Sequence, residues 1–458
     1  MTGDRRALVA GAAMVIAAGS ASYVFAQTAG PPAGTPTTTT TGAQQGNGPP
    51  GADQSSLNIQ TGAQSSFARD RNVSVTQRPH EGYEAKGLRM GAFLAYPKLS
   101  VTPEYDDNIY ATETNTQSDT VWHVTPEVNL ASDWSRNAVG AYAHAILNRY
   151  QKRSEENTTD WGAGVNGRID LLRFSNITAN VDWARLTEPR TSPNSPGVAA
   201  KPVRYDLWSA GVDIQHEINR LRLGGHYGYQ NFSYESPPKI GGGVVAQDYR
   251  DRTSHTLSGR LDYAVSPDTA VFFELDGNKR DYRHRITTDV NRDSKGVQGL
   301  VGVNFELSAL VRGELAGGYL RQTFSDSRLR TVKAFGARGK VEWFPTQLTT
   351  VTLNAGRTVE DSAVPAEGAY LSNNLGAQVD HELLRNVILT ARAGYGVDRY
   401  KDINRTDHRT SAGLSGTYLL NRTLGLSGAY SYDKTKTVRG TGNNFTDNKV
   451  SVTLTAQF

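Results

Sequence analysis

The residues most able to do chemistry in this chain are its charged side chains. Asp106 and Asp107 stand side by side before a long polar run. Such a pair can hold a cation or share acid–base work, although Asx residues at the start of a loop commonly bond to their own backbone and make the turn. "GAGVNG" (162–167) fits the glycine pattern of a dinucleotide site. That pattern needs a strand, a tight turn and a helix N-terminus, whereas here it lies inside an alternating stretch between Trp161 and Ile169. "GARGK" (336–340) lacks the spacing of a phosphate loop, and "HELLR" (381–385) has Arg385 where a zinc helix needs its second histidine. The nine histidines are scattered and there is no cysteine, so disulfides, thiolate metal sites and cysteine nucleophiles are excluded. The residues point to no catalytic group, cofactor or metal, and no nucleophile–base pair is identifiable.

A second set of charges is regular. Arg168, Arg222, Arg312, Arg338, Lys340 and Arg392, with Glu306 and Glu314, occupy alternate positions in stretches whose other positions are apolar. Asp170, Asp213 and Asp276 are further counter-charges on that face. Period-2 alternation is the pattern of a strand with one apolar and one polar face. "LRLGGHYGYQ" (221–230), "VILTARAGYGVD" (387–398) and "VQGLVGVNFEL" (297–307) show it plainly. If the polar faces line a lumen, these charges set permeant selectivity. Alternatively, arginines and carboxylates satisfy one another across the wall.

From Leu88 onward the chain repeats this unit. Alternating stretches of about 12–16 residues are separated by two kinds of connection, taken strictly in turn. Eight are short, at 132–137, 171–176, 217–220, 266–269, 307–310, 344–347, 382–386 and 419–423. Nine are longer and more polar, near 107–117, 151–157, 188–203, 236–246, 285–291, 325–328, 361–367, 401–405 and 437–445. Seventeen connections join eighteen strands. An even strand number, with both ends on the short-turn side, predicts an all-β, antiparallel up-and-down transmembrane barrel. A soluble sheet of so many long strands would need a second layer or a division into domains. Tyrosines and tryptophans gather near strand ends (Trp122, Trp134, Trp161, Trp183, Trp208, Trp343, Tyr227, Tyr395, Tyr430), as in interfacial girdles. Mean hydropathy of −0.50 suits a barrel whose lipid-facing band is a minority of its residues.

The start of the chain reads as targeting. Arg5 and Arg6 precede an apolar stretch from Ala7 to Ala21, and "VFAQ" offers a cut after Ala26. Residues 1–26 are therefore expected to be a Sec-type signal peptide. Residues 27–87 are low-complexity Pro, Thr, Gly and Gln, expected to form a disordered periplasmic tail; residues 88–458 form the barrel. The formal charge of +4 argues against nucleic acid as a partner.

The chain ends in "VSVTLTAQF", with Val450, Val452, Leu454, Ala456 and Phe458 on one face and Ser451, Thr453, Thr455 and Gln457 on the other. An alternating last strand with a terminal aromatic resembles the C-terminal signature of bacterial outer-membrane proteins. "MGAFLAYPKLSVTPEYDDNIYA" (90–111) followed by "VWHVTPEVNLASDWSRNAV" (121–139) resembles the start of the Putative beta-barrel porin 2 family. The resemblance is sharpest over 88–150. It implies a bacterial outer-membrane location, outer-membrane lipid as surroundings, and the barrel assembly machinery as a partner reading Phe458. It also implies a link to exopolysaccharide, with polysaccharide and periplasmic export components as further partners. The leading expectation is a channel for export of a secreted exopolysaccharide, not an enzyme. The alternative is a general or substrate-specific diffusion porin for small solutes, in which a long loop such as 187–202 folds inward.

Overall fold

A computed structural model describes residues 73–172, 174–285, 290–364 and 367–458. The proposed leader and residues 27–72 of the tail lie outside the described residues. One short strand, β1 (Leu88–Met90), precedes eighteen long ones. These are β2 (Phe93–Asp106), β3 (Asp119–Ser132), β4 (Ala138–Tyr150), β5 (Thr158–Leu172), β6 (Ser175–Thr187), β7 (Arg204–Ile218), β8 (Leu221–Tyr234), β9 (Arg252–Ser266), β10 (Thr269–Tyr282), β11 (Ser294–Leu307), β12 (Val311–Phe324), β13 (Val332–Thr346), β14 (Thr349–Asp361), β15 (Ala369–Leu384), β16 (Val387–Tyr400), β17 (Thr406–Leu419), β18 (Leu424–Arg439) and β19 (Phe445–Gln457). Each long strand pairs antiparallel with its chain neighbours, and β19 returns to β2. The result is the closed eighteen-strand barrel expected from the alternation. All eight short turns and all nine long loops fall where the sequence places them.

The ring closes between Lys98–Asp106 of β2 and Lys449–Gln457 of β19. The ladder skips Val452 and Thr453 beside Pro103, whose nitrogen carries no hydrogen. Side chains strengthen this seam: Thr102 bonds Thr453 at 2.8 Å and Ser100 bonds Thr455 at 3.1 Å. Below it the Phe458 amide donates to the Pro97 carbonyl at 3.2 Å. β1 then takes over the same edge of β2, pairing with Phe93–Ala95. Val452, Leu454 and Phe458 are 49%, 50% and 55% exposed on the outer face, whereas inward Ser451 is 8% exposed. The outer face as a whole is an apolar belt open to its surroundings, which water would not tolerate on this scale and a bilayer satisfies. Tryptophans edge the belt: Trp161, Trp183 and Trp208 touch in a row across β5–β7, and Trp343 lies toward the opposite rim.

One part of the wall departs from a plain cylinder. β13 and β14 pair from the short-turn end only as far as Arg338 and Gly356. Beyond that point the β14–β15 hairpin leans into the barrel, and the Arg357 guanidinium caps the Phe335 carbonyl at 3.2 Å. Val359, Ala369 and Leu371 continue the outward rows of β14 and β15, yet they pack against the inward residues Leu320, Phe324 and Val332 of β12 and β13. The upper wall therefore overlaps itself like the edge of a scroll.

The position of Val452 near mid-strand on the outer face yields a stability prediction. Val452→Lys should lower barrel stability by about 2–4 kcal/mol, read from urea unfolding in phospholipid vesicles. Thr453→Lys, one residue along and facing the lumen, should cost much less.

Candidate functional site: the lumen and its constriction

All eight lining candidates lie on the inward rows of their strands, but they do not form one site. Arg338 donates to Glu274 and Glu314 at 2.8 and 2.9 Å, and Arg260 bridges Asp262 and Glu314. Arg312 and Lys340 converge on Glu342, and Glu306 is buried on β11. These residues knit β9–β13 together. Arg168 binds Asp170 on its own strand, Arg222 binds Glu217 across the β7–β8 turn, and Arg392 lies over Gly413 on the β16–β17 wall. Mutual neutralisation thus describes most of them, because each guanidinium taken from water needs a carboxylate to offset its desolvation.

At the long-loop end the lumen is crossed. The 188–203 loop after β6 reaches the tip of the β14–β15 hairpin, eight strands further along the ring. Asn194 Oδ1 accepts from the Ala363 amide at 2.9 Å, and its Nδ2 donates to the Asp361 carbonyl. From the loop after β8, the Tyr249 hydroxyl donates to the Ala363 carbonyl at 2.6 Å. Arg250 clamps Glu188 with two bonds, at 2.9 and 3.0 Å, joining those two loops to each other. Beneath them Arg280 and Arg252 both pair with the Asp361 carboxylate, and Arg292 donates to the Ser362 and Tyr249 carbonyls. Arg250 and Arg252 also lie 4.1 Å over the rings of Tyr234 and Phe232, where burial strengthens attraction between a cation and an aromatic face.

This constriction divides the interior. Along β9–β13 the inward side chains are largely buried, among them Ser258, Phe272, Glu274, Asp276, Leu300 and Gln322. Along β3–β8 the inward polar residues Glu127, Asn129, Tyr142, Asn180, Asp182 and Gln215 are half-buried. Asp213 keeps 52% of its side chain exposed. Water therefore reaches more of the β3–β8 wall, while on the β9–β13 side it reaches the Lys340 end of β13 and little of the packed charges beyond it.

Arg252 and Arg280 are not among the inward candidates read from the alternation, and nothing local marks Asp361, Asn194 or Tyr249. Their roles in the crossing arise from contacts 81 to 169 residues apart. Asp106 accepts from the Asn108 amide at 2.8 Å, making the Asx turn. Asp106, Asp107 and Asp447 do converge, with the Lys449 ammonium 3.2 Å from both Asp106 and Asp447 where a cation would stand. "GAGVNG" lies within β5, and Gly164 leaves the room that the Asp182 carboxylate and Tyr142 ring take up. Residues 73–87, assigned to the tail, run along the short-turn rim. The Val75 amide donates to Thr350 Oγ1, Arg78 pairs with Glu382 at 2.9 Å, and Arg422 and Gln457 donate to the Gly82 and Tyr83 carbonyls.

Two predictions follow from the constriction. Asp361→Asn removes the carboxylate shared by Arg252 and Arg280. It should cost about 3–5 kcal/mol and raise single-channel conductance by freeing the hairpin tip, measured by urea unfolding and in planar bilayers. Glu367, in the loop after β14, is 0% exposed and accepts from the amides of Lys401, Asp402 and Ile403. Burial pushes its carboxyl up from 4.5 to about 7, and those amides only partly offset this. A raised carboxyl favours the protonated fold, so the stability of this loop is greatest below pH 4.5 and falls as pH rises through about 7, although each amide bond favours the ionised form. Exchange of the 401–403 amides, corrected for intrinsic rate, should gain protection at pH 5 over pH 8, and Glu367→Gln should abolish the difference.

No curated protein matches the chain. Among solved structures it is similar to a BenF-like porin from Pseudomonas fluorescens Pf-5, at 10% identity and a TM-score of 0.45, covering 80% of this chain and 99% of that one. It is also similar to the outer membrane protein OpdK from Pseudomonas aeruginosa (11%, TM-score 0.44, 80% and 99%). A third similar structure is OccAB3 from Acinetobacter baumannii (14%, TM-score 0.44, 81% and 100%). The family profile described as Putative beta-barrel porin 2 matches residues 80–458. The chain belongs to that family and is a β-barrel porin of the bacterial outer membrane.

Proposed function

We propose that the protein is a diffusion channel for small solutes. The observation that carries this reading is the crossing of the lumen by the 188–203 loop, Tyr249 and the β14–β15 tip. A loop folded into an eighteen-strand barrel, which side chains of the wall alone would not fill, leaves a path for small hydrated solutes along β3–β8. Export of a hydrated exopolysaccharide, implied by the family resemblance, calls for an unobstructed bore, so the small-solute reading is the better supported. The eight lining charges act mainly as scaffold on this reading. Phe458, at the end of the closing strand, serves as the signal to the assembly machinery, and periplasmic export components are not needed.

Purified protein in planar bilayers should conduct ions, and proteoliposomes should swell in monosaccharides and amino acids but not in long polyethylene glycols. Lack of conductance would remove the channel reading; free passage of the long polymers would restore the export reading. Deletion of Phe458 should reduce membrane insertion while leaving synthesis and passage to the periplasm intact, as followed by fractionation.

A further inference from the structure

We infer that the wetted passage selects for cationic solutes, through Asp182 on β6 and Asp213 on β7. This rests on the small-solute channel reading and adds the class of solute. The argument starts from which charges are already spent. On the inward wall from β2 to β8, Lys98 faces Glu127 at 3.5 Å, Arg168 holds Asp170 at 2.8 Å, and Arg222 pairs with Glu217. Each of these cations thus has a carboxylate of its own.

Asp182 and Asp213 are held differently. Asp182 accepts from the Tyr142 hydroxyl at 2.8 Å and from the Asn180 amide, both neutral groups. Asp213 is bound by the His226 imidazole at 2.7 Å. Among the described residues neither carboxylate has a lysine or arginine partner. Hydroxyl and amide donors fix a carboxylate in place while leaving its charge uncancelled. The strand register supports the placement: Gly164 lies opposite Asp182, and a Cβ there would stand 2.2 Å from Asp182 Oδ1. The carboxylate therefore lies over the β5 backbone, flanked there by the Tyr142 ring, and no charged side chain stands at Gly164 to meet it. Asp213 is on the adjacent strand and is the more exposed of the two.

The arginines cannot cancel this field at close range. Arg260 and Arg338 are tied to Glu274 and Glu314 on the packed side. Arg409, on the β17 wall, is clamped by Asp398. Arg392 stands on β16, away from β6 and β7. A low-dielectric wall focuses the remaining field into the passage. Two unit charges a few ångströms from a wet path enrich a monovalent cation over bulk by roughly fivefold at low salt, and screening shortens that reach as salt rises. The solutes expected to gain are those bearing an ammonium or guanidinium group, along with monovalent metal ions.

The test is the reversal potential of the purified full-length protein in planar bilayers, at pH 8 under a tenfold potassium chloride gradient held below ~0.1 M. The expected result is a potassium-over-chloride permeability ratio of about 3 or more. Asp182→Asn with Asp213→Asn should bring that ratio close to one at similar conductance. Asp213→Lys, at an exposed position that tolerates a long side chain, should move it toward chloride. In proteoliposome swelling, lysine should enter faster than glutamate in the native protein and lose that advantage in the double variant. Heat-modifiable mobility on gels confirms that each variant is folded. A conducting but unselective or chloride-selective native channel overturns the inference and leaves the channel reading standing. Cation preference that survives in the folded double variant overturns the assignment to these two carboxylates. An absence of conductance overturns the channel reading, and the inference with it.

Discussion

In hydrocarbon a backbone amide or carbonyl without a partner has no water to turn to, and each one left open costs several kcal/mol. The pairing of β19 with β2 answers that constraint, and much of the remaining architecture depends on it. A sheet that must close needs its last strand to meet its first antiparallel, which requires an even number of strands and brings the start of the first and the end of the last to one rim. It also explains why short hydrogen-bonding side chains line the seam. Where Pro103 cannot donate, Thr102–Thr453 and Ser100–Thr455 supply bonds from the lumen side. Where β19 runs out, β1 continues the edge of β2.

Closure also dictates the interior. Eighteen strands enclose more space than their own side chains can fill, and the protein deals with the surplus unevenly. On the β9–β13 side the β14–β15 hairpin and two loops are drawn in, and arginines taken out of water are matched with carboxylates and ring faces. Burying ions is costly unless geometry and hydrogen bonds are good, so this side resembles the polar core of a globular protein. On the β3–β8 side the 188–203 loop covers the long-loop end, and below it the wall keeps more of its hydration.

The architecture was legible in the sequence because period-2 alternation and turn length are local properties. Strand number, the two classes of connection, the outward face of "VSVTLTAQF" and the inward direction of Arg168 or Glu314 all follow from residues within a few positions of one another. The constriction was not legible. Asp361 meets Arg280 because the β13–β14 ladder stops at Gly356, and no short window of sequence reports where a ladder stops. Val359 and Leu371 even keep the rhythm of lipid-facing residues while they are buried against β12 and β13. Asp182 was missed for a related reason. Its importance lies in the neutrality of its neighbours, and neighbours across strands are known only once the register is.

The self-overlap of the wall has a consequence for how such a protein changes over generations. Where β14 and β15 lie inside β12 and β13, a substitution at an inward position is a core substitution, and most are expected to be purged for loss of stability. Across the barrel, at Asn129, Asn180 or Asp213, an inward side chain borders water and can be exchanged with little effect on folding. Adaptation to a new solute and preservation of the fold therefore draw on different strands. A lineage could rewrite one side of its lumen many times while the other side stayed nearly still.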